Sequence, residues 1–215
     1  MVVSGEVSES GMGMVQYNGW SFFLASGESD VGVVLVHQIH GLDDYMKSVS
    51  TKLAAAGFSA AAADLQEGMK LREAVTREEL LSAFESGMNL LMDRTGAGVK
   101  VGSMGFCMGG GFALQGACDL DMKFCVDYYG MINDVEEVKG LRGPVLLILG
   151  SDDERVTPWA FQAFLPSAVK YKKRVDVHLY PYARHAFHDP GWEGYNPQAA
   201  EDAWKKTLLF LSQFK

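Results

Sequence analysis

The segment Gly105-Phe106-Cys107-Met108-Gly109-Gly110 sets a cysteine two residues from a glycine on either side. Before it, Val99 to Phe106 reads as a short buried strand; after it, Phe112 to Ala117 reads as the start of a helix. A strand, a glycine-flanked reactive side chain and a helix form the sharp turn that lifts a nucleophile above a sheet. The glycines are needed because the backbone there is strained and packs closely, so a side chain at position 105 or 109 would clash. The turn also leaves the thiol at a helix N-terminus, where the dipole and free N–H groups favour a thiolate.

The rest of the chain shows which architecture holds such a turn. Residues 14–25 carry Asn18-Gly19 between apolar-rich flanks, the pattern of an antiparallel hairpin. Strands are expected at Gly32 to Val36, Phe58 to Leu65, Phe124 to Tyr129, Val145 to Leu149 and Val175 to Tyr180. Helices are expected at Tyr45 to Ala56, Arg77 to Arg94, from Pro158 to about Val169, and from Pro197 to Phe214. Continuous apolar strands alternating with helices imply an α/β fold: a mostly parallel sheet with helices on both faces and an N-terminal antiparallel hairpin. Ligands of such sheets bind beyond the carboxyl ends of the strands, so the residues just after each strand matter most. We read residues 1–215 as a single domain, with residues 66–78, which lack periodicity, as a candidate lid or pocket wall.

Composition narrows the function class. The net charge of −8 argues against nucleic acid or an anionic membrane as partner. No window approaches the roughly 18 apolar residues of a membrane span, and Met1 to Ser10 lacks the apolar core of a signal peptide. Cys107, Cys118 and Cys125 form neither a metal-type spacing nor a disulfide framework. We therefore expect reduced thiols in a cytoplasmic protein with no metal and no cofactor. Cys118 and Cys125 read as small core residues.

Three strand ends carry reactive residues in the order Cys107, Asp153, His185. Nucleophile, acid, histidine is the chain order of the α/β-hydrolase fold. His185 would act as base and then acid, with Asp153 fixing its tautomer. Asp153 also reads as a turn or helix-capping residue, and Asp152 is the alternative acid. His37, His40 and His188 lie near strand ends as well, whereas His178, inside a strand, reads as structural. Oxyanion donors are expected from the Met108 N–H and from the loop His37-Gln38-Ile39-His40-Gly41, with the Ile39 N–H the natural candidate.

With these residues in place, the chain resembles the dienelactone hydrolase (carboxymethylenebutenolidase) family over nearly its whole length. The resemblance is carried by Gly105 to Gly110, by Asp127-Tyr128-Tyr129-Gly130, by Gly150 to Val156 and by Tyr180 to Phe187. It implies a Cys107–Asp153–His185 triad that hydrolyses a small ester or enol-lactone through an acyl-thiol intermediate, without cofactor. Two positions depart from the family pattern. Where the family carries Gln-Glu-Ile-Phe-Gly, its Glu paired with the resting cysteine, this chain has Gln38, a neutral amide that cannot take a proton. Where the family places a carboxylate-binding arginine four residues after the histidine, this chain has Asp189, which would repel an anionic substrate. Arg184, Arg72 and Arg77 are candidate substitutes. Gln38, His40, Tyr129, Arg184 and Asp189 are thus the pocket candidates; Trp159, Trp192 and Tyr129 read equally as core aromatics.

Two other functions compete with a cysteine-dependent lactone or ester hydrolase: a general short-chain carboxylesterase or thioesterase, and a non-catalytic hydrolase-like protein that binds ligands or senses oxidants through its thiol. With Gln38 in the acid's place, the thiol answers directly to His185. Gln38→Glu is accordingly expected to move the pH dependence of Cys107 alkylation by iodoacetamide, and an unchanged profile would remove any role for this position.

Overall fold

The computed structural model describes residues 3–4, 11–65 and 76–215. These group into two compact units, Met1–Gly102 with Lys215, and Ser103–Phe214. The expected lid, residues 66–78, falls largely outside the described residues, as does Arg72; only residues 76–78 are described.

The first unit is built on a hairpin. Strands β2 (Met12–Tyr17) and β3 (Trp20–Ala25) pair antiparallel with Tyr17 opposite Trp20, so the loop is the two residues Asn18 and Gly19. Both have positive φ, +49° and +85°, the conformation of the turn whose twist matches paired strands. Strand β1 (Val3–Ser4) adds antiparallel to β2. On the other side β3 pairs antiparallel with β5 (Ser59–Ala63), which runs parallel to β4 (Val31–Val36). Every residue of β4 and β5 is buried. β5 reads Ser-Ala-Ala-Ala-Ala, a poor strand sequence by propensity. It is extended because β3 and β4 on either side complete its ladder.

Local signals end the helices of this unit. α1 (Asp44–Ala55) starts where the Asp43 carboxylate accepts the Met46 N–H at 2.9 Å. α2 (Arg77–Thr95) starts with a reciprocal box, Thr76 Oγ1 accepting the Glu79 N–H while the Glu79 carboxylate accepts the Thr76 N–H. Such caps stabilise a helix by about 1 kcal/mol each.

β6 (Lys100–Phe106), which enters the second unit at Ser103, runs parallel with β7 (Cys125–Tyr128), β8 (Val145–Gly150) and β9 (Val175–Tyr180) in that order. Their register puts Phe106 opposite Tyr128, Tyr128 opposite Ile148, and Gly150 opposite Tyr180. The ends of β6 and β7 are therefore level, those of β8 and β9 lie level two residues further on, and Cys107, Tyr129, Asp153 and His185 follow these four carboxyl ends.

Helix α3 (Met108–Asp119) begins directly after Cys107, four residues ahead of the start read from the sequence. Gly109, Gly110 and Gly111 make this turn unfavourable by propensity, at about 1 kcal/mol each relative to alanine. Packing explains it. A Cβ on Gly111 would lie 2.1 Å from the Met131 carbonyl oxygen, and one on Gly110 2.2 Å from Asp127 Oδ1. The glycines admit a close approach that no other residue permits. A similar shift occurs after β8: the helix begins at Val156 rather than Pro158, running through α4 (Val156–Trp159), a wide turn at Ala160–Phe164 and α5 (Leu165–Lys170). Proline is harmless in a first turn, whose N–H groups lack intrahelical acceptors in any case. A short 3₁₀ turn at Val135–Gly140 and the closing helix α6 (Pro197–Ser212) complete the unit.

A Cβ at position 105 would lie 1.9 Å from the Gly109 carbonyl oxygen. Gly105→Ala should therefore cost about 3 kcal/mol or more, seen as a large fall in thermal midpoint. A variant as stable as the parent would show that the strand-to-helix turn can open.

Candidate active site

Cys107 sits between β6 and α3 with φ +55° and ψ −119°, a left-handed backbone that non-glycine residues rarely adopt. Its N–H donates to the Tyr128 carbonyl at 2.9 Å, and its own carbonyl accepts the Gly110 N–H at 3.0 Å. Strand end and helix start thus hold the residue from both sides. Cys107 is partly accessible, whereas Cys118 and Cys125 are buried.

His185 Nε2 lies 3.0 Å from Cys107 Sγ, and His185 Nδ1 lies 2.6 Å from Asp153 Oδ2. A carboxylate only accepts, so Nδ1 carries the hydrogen and Nε2 faces the sulfur. Asp153 is held in turn. Its Oδ1 accepts the N–H groups of Arg155 and Val156, at 3.1 and 2.9 Å, at the start of α4. The capping role and the pairing with the histidine, alternatives in the sequence, are both filled by this one side chain through different oxygens. Asp152 is exposed and accepts the Ser151 hydroxyl at 2.7 Å.

The surroundings tune these groups. Burial lowers the His185 pKa, but hydrogen bonds to Asp153 and Cys107 and their charges outweigh it and push it up to about 9. Burial alone would raise the Asp153 pKa; the hydrogen bonds from His185, Val156 and Arg155, together with the imidazolium charge, keep it below the ordinary carboxylate range. Tyr129, next after β7, has φ +45° and is fully buried, its ring edge-on to His185 at 5.2 Å and to Phe187 at 5.5 Å. Beneath it Phe106 stacks on Tyr128 at 4.5 Å, and His188 packs on both rings. The imidazole therefore stands on an aromatic floor.

Asp127 is a buried acid the sequence reading did not single out beyond its place in a motif. Its Oδ1 accepts the Gly130 N–H at 2.8 Å, and burial pushes its pKa up to about 7. Its place inside the otherwise uncharged strand Cys125–Tyr128 was the only hint.

The other predicted residues fall as follows. Met108 is the first residue of α3, so its N–H points out of the helix end unclaimed by the helix. Gln38 is buried, and Ile39 and His40 are exposed. His37, buried just before them, holds this loop: its Nδ1 donates to the Gln38 carbonyl at 2.6 Å and its Nε2 accepts the Leu65 N–H at 3.1 Å. Burial lowers its pKa, consistent with a neutral ring in this role. Arg184 is exposed and pairs with Glu193 at 3.5 Å. Asp189 is buried and accepts the Gly191 N–H at 2.8 Å within its own turn. Arg77 opens α2 and is exposed. Trp159 stacks on Phe164 at 5.4 Å, as a helix-packing residue, and Trp192 is partly exposed. His178 lies in β9. Among the described residues no cluster of three or more His, Cys, Asp or Glu could hold a metal, and no helix is long and apolar enough to cross a membrane.

Comparison with known proteins places the chain in a family. A model of the dienelactone hydrolase family matches residues 22–215. The carboxymethylenebutenolidase of Pseudomonas putida is 24% identical, over 94% of this chain and 95% of its own. A Saccharolobus solfataricus protein that bears the same name provisionally is 29% identical, over 88% of this chain and 92% of its own. Among solved structures, a Klebsiella pneumoniae protein provisionally described as a dienelactone hydrolase superposes with a TM-score of 0.82 at 19% identity, covering 99% of both chains. That likeness shows an α/β-hydrolase fold.

The shifted groups make stability depend on pH. The fold holds the Asp127 proton more tightly than the unfolded chain, so stability should fall as pH rises from about 4 to about 7. His185 likewise favours its protonated form, so a further decline is expected from about 6.5 to about 9. Asp153, held low, should cost stability only in acid, as pH drops through its folded pKa. Denaturant midpoints measured across pH should lose the first decline in Asp127→Asn and the second in His185→Gln. A parent profile flat through both windows would contradict the assignment.

Proposed function

This chain belongs to the dienelactone hydrolase family and is a hydrolase of enol-lactone or ester substrates; on that footing we propose that Cys107 is its nucleophile, with His185 as base and acid and Asp153 as the orienting carboxylate. The observation that carries the reading is the unbroken contact from Asp153 Oδ2 through His185 to Cys107 Sγ, at 2.6 and 3.0 Å.

In this reading the thiol proton already rests on His185 Nε2, and the Cys107 thiolate attacks the carbonyl carbon of the substrate. The Met108 N–H donates to the developing oxyanion. Collapse of the tetrahedral intermediate breaks the C–O bond, and the imidazolium returns its proton to the departing oxygen. Cys107 is left as a thioester. Water, deprotonated by the same Nε2, then attacks that acyl carbon and releases the acid and the free thiol. The raised His185 pKa supports this sequence, because an imidazolium beside the sulfur favours the thiolate partner.

The substrate in this reading is a small neutral ester or lactone. The position four residues after His185, where the family carries arginine, is the buried Asp189, and Arg184 lies exposed beside Glu193. Loss of one charged hydrogen bond weakens binding by about one to two decades.

Hydrolysis of p-nitrophenyl acetate and of a dienelactone should be compared in the parent and in Cys107→Ala. The parent should turn over both, with kcat/KM for the dienelactone below that for the neutral ester, and the variant neither. Activity surviving in Cys107→Ala would overturn the nucleophile. A preference for the carboxylate-bearing lactone would overturn the substrate class. No turnover of any ester, with a thiol that is readily oxidised, would favour the sensing function instead.

A further inference from the structure

Asp127 is a charged residue type inside the otherwise uncharged, wholly buried strand β7. It lies opposite Gly105 in the ladder and is completely buried. One oxygen, Oδ1, accepts the Gly130 N–H, while Oδ2 makes no hydrogen bond among the described residues. The carboxyl is wedged against main chain on two sides: a Cβ at Gly110 would lie 2.2 Å from Oδ1, and one at Gly130 2.6 Å from it.

Burying a carboxyl is costly, and a neutral amide would accept the same N–H without that cost. What the arrangement fixes is the turn Asp127-Tyr128-Tyr129-Gly130. That turn touches the reactive groups at two points. The Tyr128 carbonyl accepts the Cys107 N–H at 2.9 Å, and the Tyr129 ring lies against His185. Tyr129 needs positive φ to stand there, a conformation that persists only when its surroundings over-determine it. The bond from Gly130 N–H to Asp127 closes the turn directly after Tyr129, and the Tyr129 N–H donates to the Ile148 carbonyl at 2.9 Å. Finally, a Cβ on Gly130 would lie 2.1 Å from the Gly111 nitrogen, so the closed turn abuts the first turn of α3.

We propose that Asp127 is a positioning residue for the thiol: by closing the 127–130 turn, its carboxyl sets where Cys107 and the Tyr129 ring stand relative to His185. The proposal rests on the reading of Cys107 as nucleophile. It assigns Asp127 no contact with substrate and no proton transfer.

The test uses the full chain with Asp127→Leu, which fills the space without an acceptor, and Asp127→Asn, which restores an acceptor for the Gly130 N–H. Two quantities are measured: the rate of Cys107 alkylation by iodoacetamide, followed by peptide mass, and kcat and KM for p-nitrophenyl acetate. Circular dichroism reports folding. In folded Asp127→Leu the alkylation rate and kcat should drop by about ten- to a hundredfold with KM little changed, as expected of sub-ångström misplacement. Asp127→Asn should recover most of that loss. If Asp127→Leu does not fold, Asp127→Ala makes the same comparison. A folded acceptor-less variant with parental alkylation and kcat would overturn the proposal, as would an Asp127→Asn variant impaired as severely as Asp127→Leu. Alkylation needs no substrate, so the two readings fail separately: turnover lost to Cys107→Ala with alkylation indifferent to Asp127 rejects only the positioning role, and turnover surviving Cys107→Ala rejects only the nucleophile.

Discussion

Everything at this site depends on the close approach of two chain segments, 105–111 and 127–131. A Cβ on Gly111 would lie 2.1 Å from the Met131 carbonyl oxygen and one on Gly130 2.1 Å from the Gly111 nitrogen, while the Asp127 carboxyl fills the space beside Gly110. Because most of the contact is made by main-chain atoms, it admits little adjustment. The Cys107 N–H reaches the Tyr128 carbonyl, and α3 can begin immediately after the cysteine. A helix with three glycines in its first turn is poor in isolation. It is stable here because tertiary packing outweighs propensity, as for most helices in proteins.

The same contact organises the electrostatics. The carboxyl ends of the parallel strands put an acid, an imidazole and a thiol at one edge of the ladder, and each shift in protonation traces to the surroundings rather than to the residue itself. His185 holds its proton to about pH 9 because two acceptors face its two nitrogens. Asp127 keeps its proton far above the usual range because burial outweighs its one main-chain donor. Two aspartates within one unit are thus driven in opposite directions by the number of donors that reach them.

Much of the fold was legible because its signals are local. Asn18-Gly19 specifies a two-residue turn, and the continuous apolar runs that became β4 and β8 stand out from their flanks, while β9 alternates apolar and polar residues over much of its length. The glycine spacing around Cys107 announced the turn that holds it. What escaped were features set by distant neighbours. The start of α3 at Met108 contradicts the propensity of its glycines, and only Met131 and Asp127 across the contact explain it. Pairing of Arg184 with Glu193, nine residues on, and the inward turn of Asp189 depend on how one loop folds back on itself. The burial of Asp127 follows from strand register, which no single segment encodes. At the site, chain order and strand ends were enough to nominate Cys107, Asp153 and His185. Distances and tautomer came only with the structure.

The two oxygens of Asp153 do different work, and that division has a mechanical consequence. With Oδ1 claimed by the N–H groups of Arg155 and Val156, rotation of the carboxylate would break two main-chain bonds in order to release one side chain. The acid therefore behaves as part of the helix start rather than as a side chain with its own freedom. The orientation of the imidazole is then inherited from secondary structure: the first turn of α4 aims Asp153, and Asp153 aims His185. A shift of that helix end along its axis would be felt at the sulfur as a change of angle, carried by atoms that have no slack to absorb it.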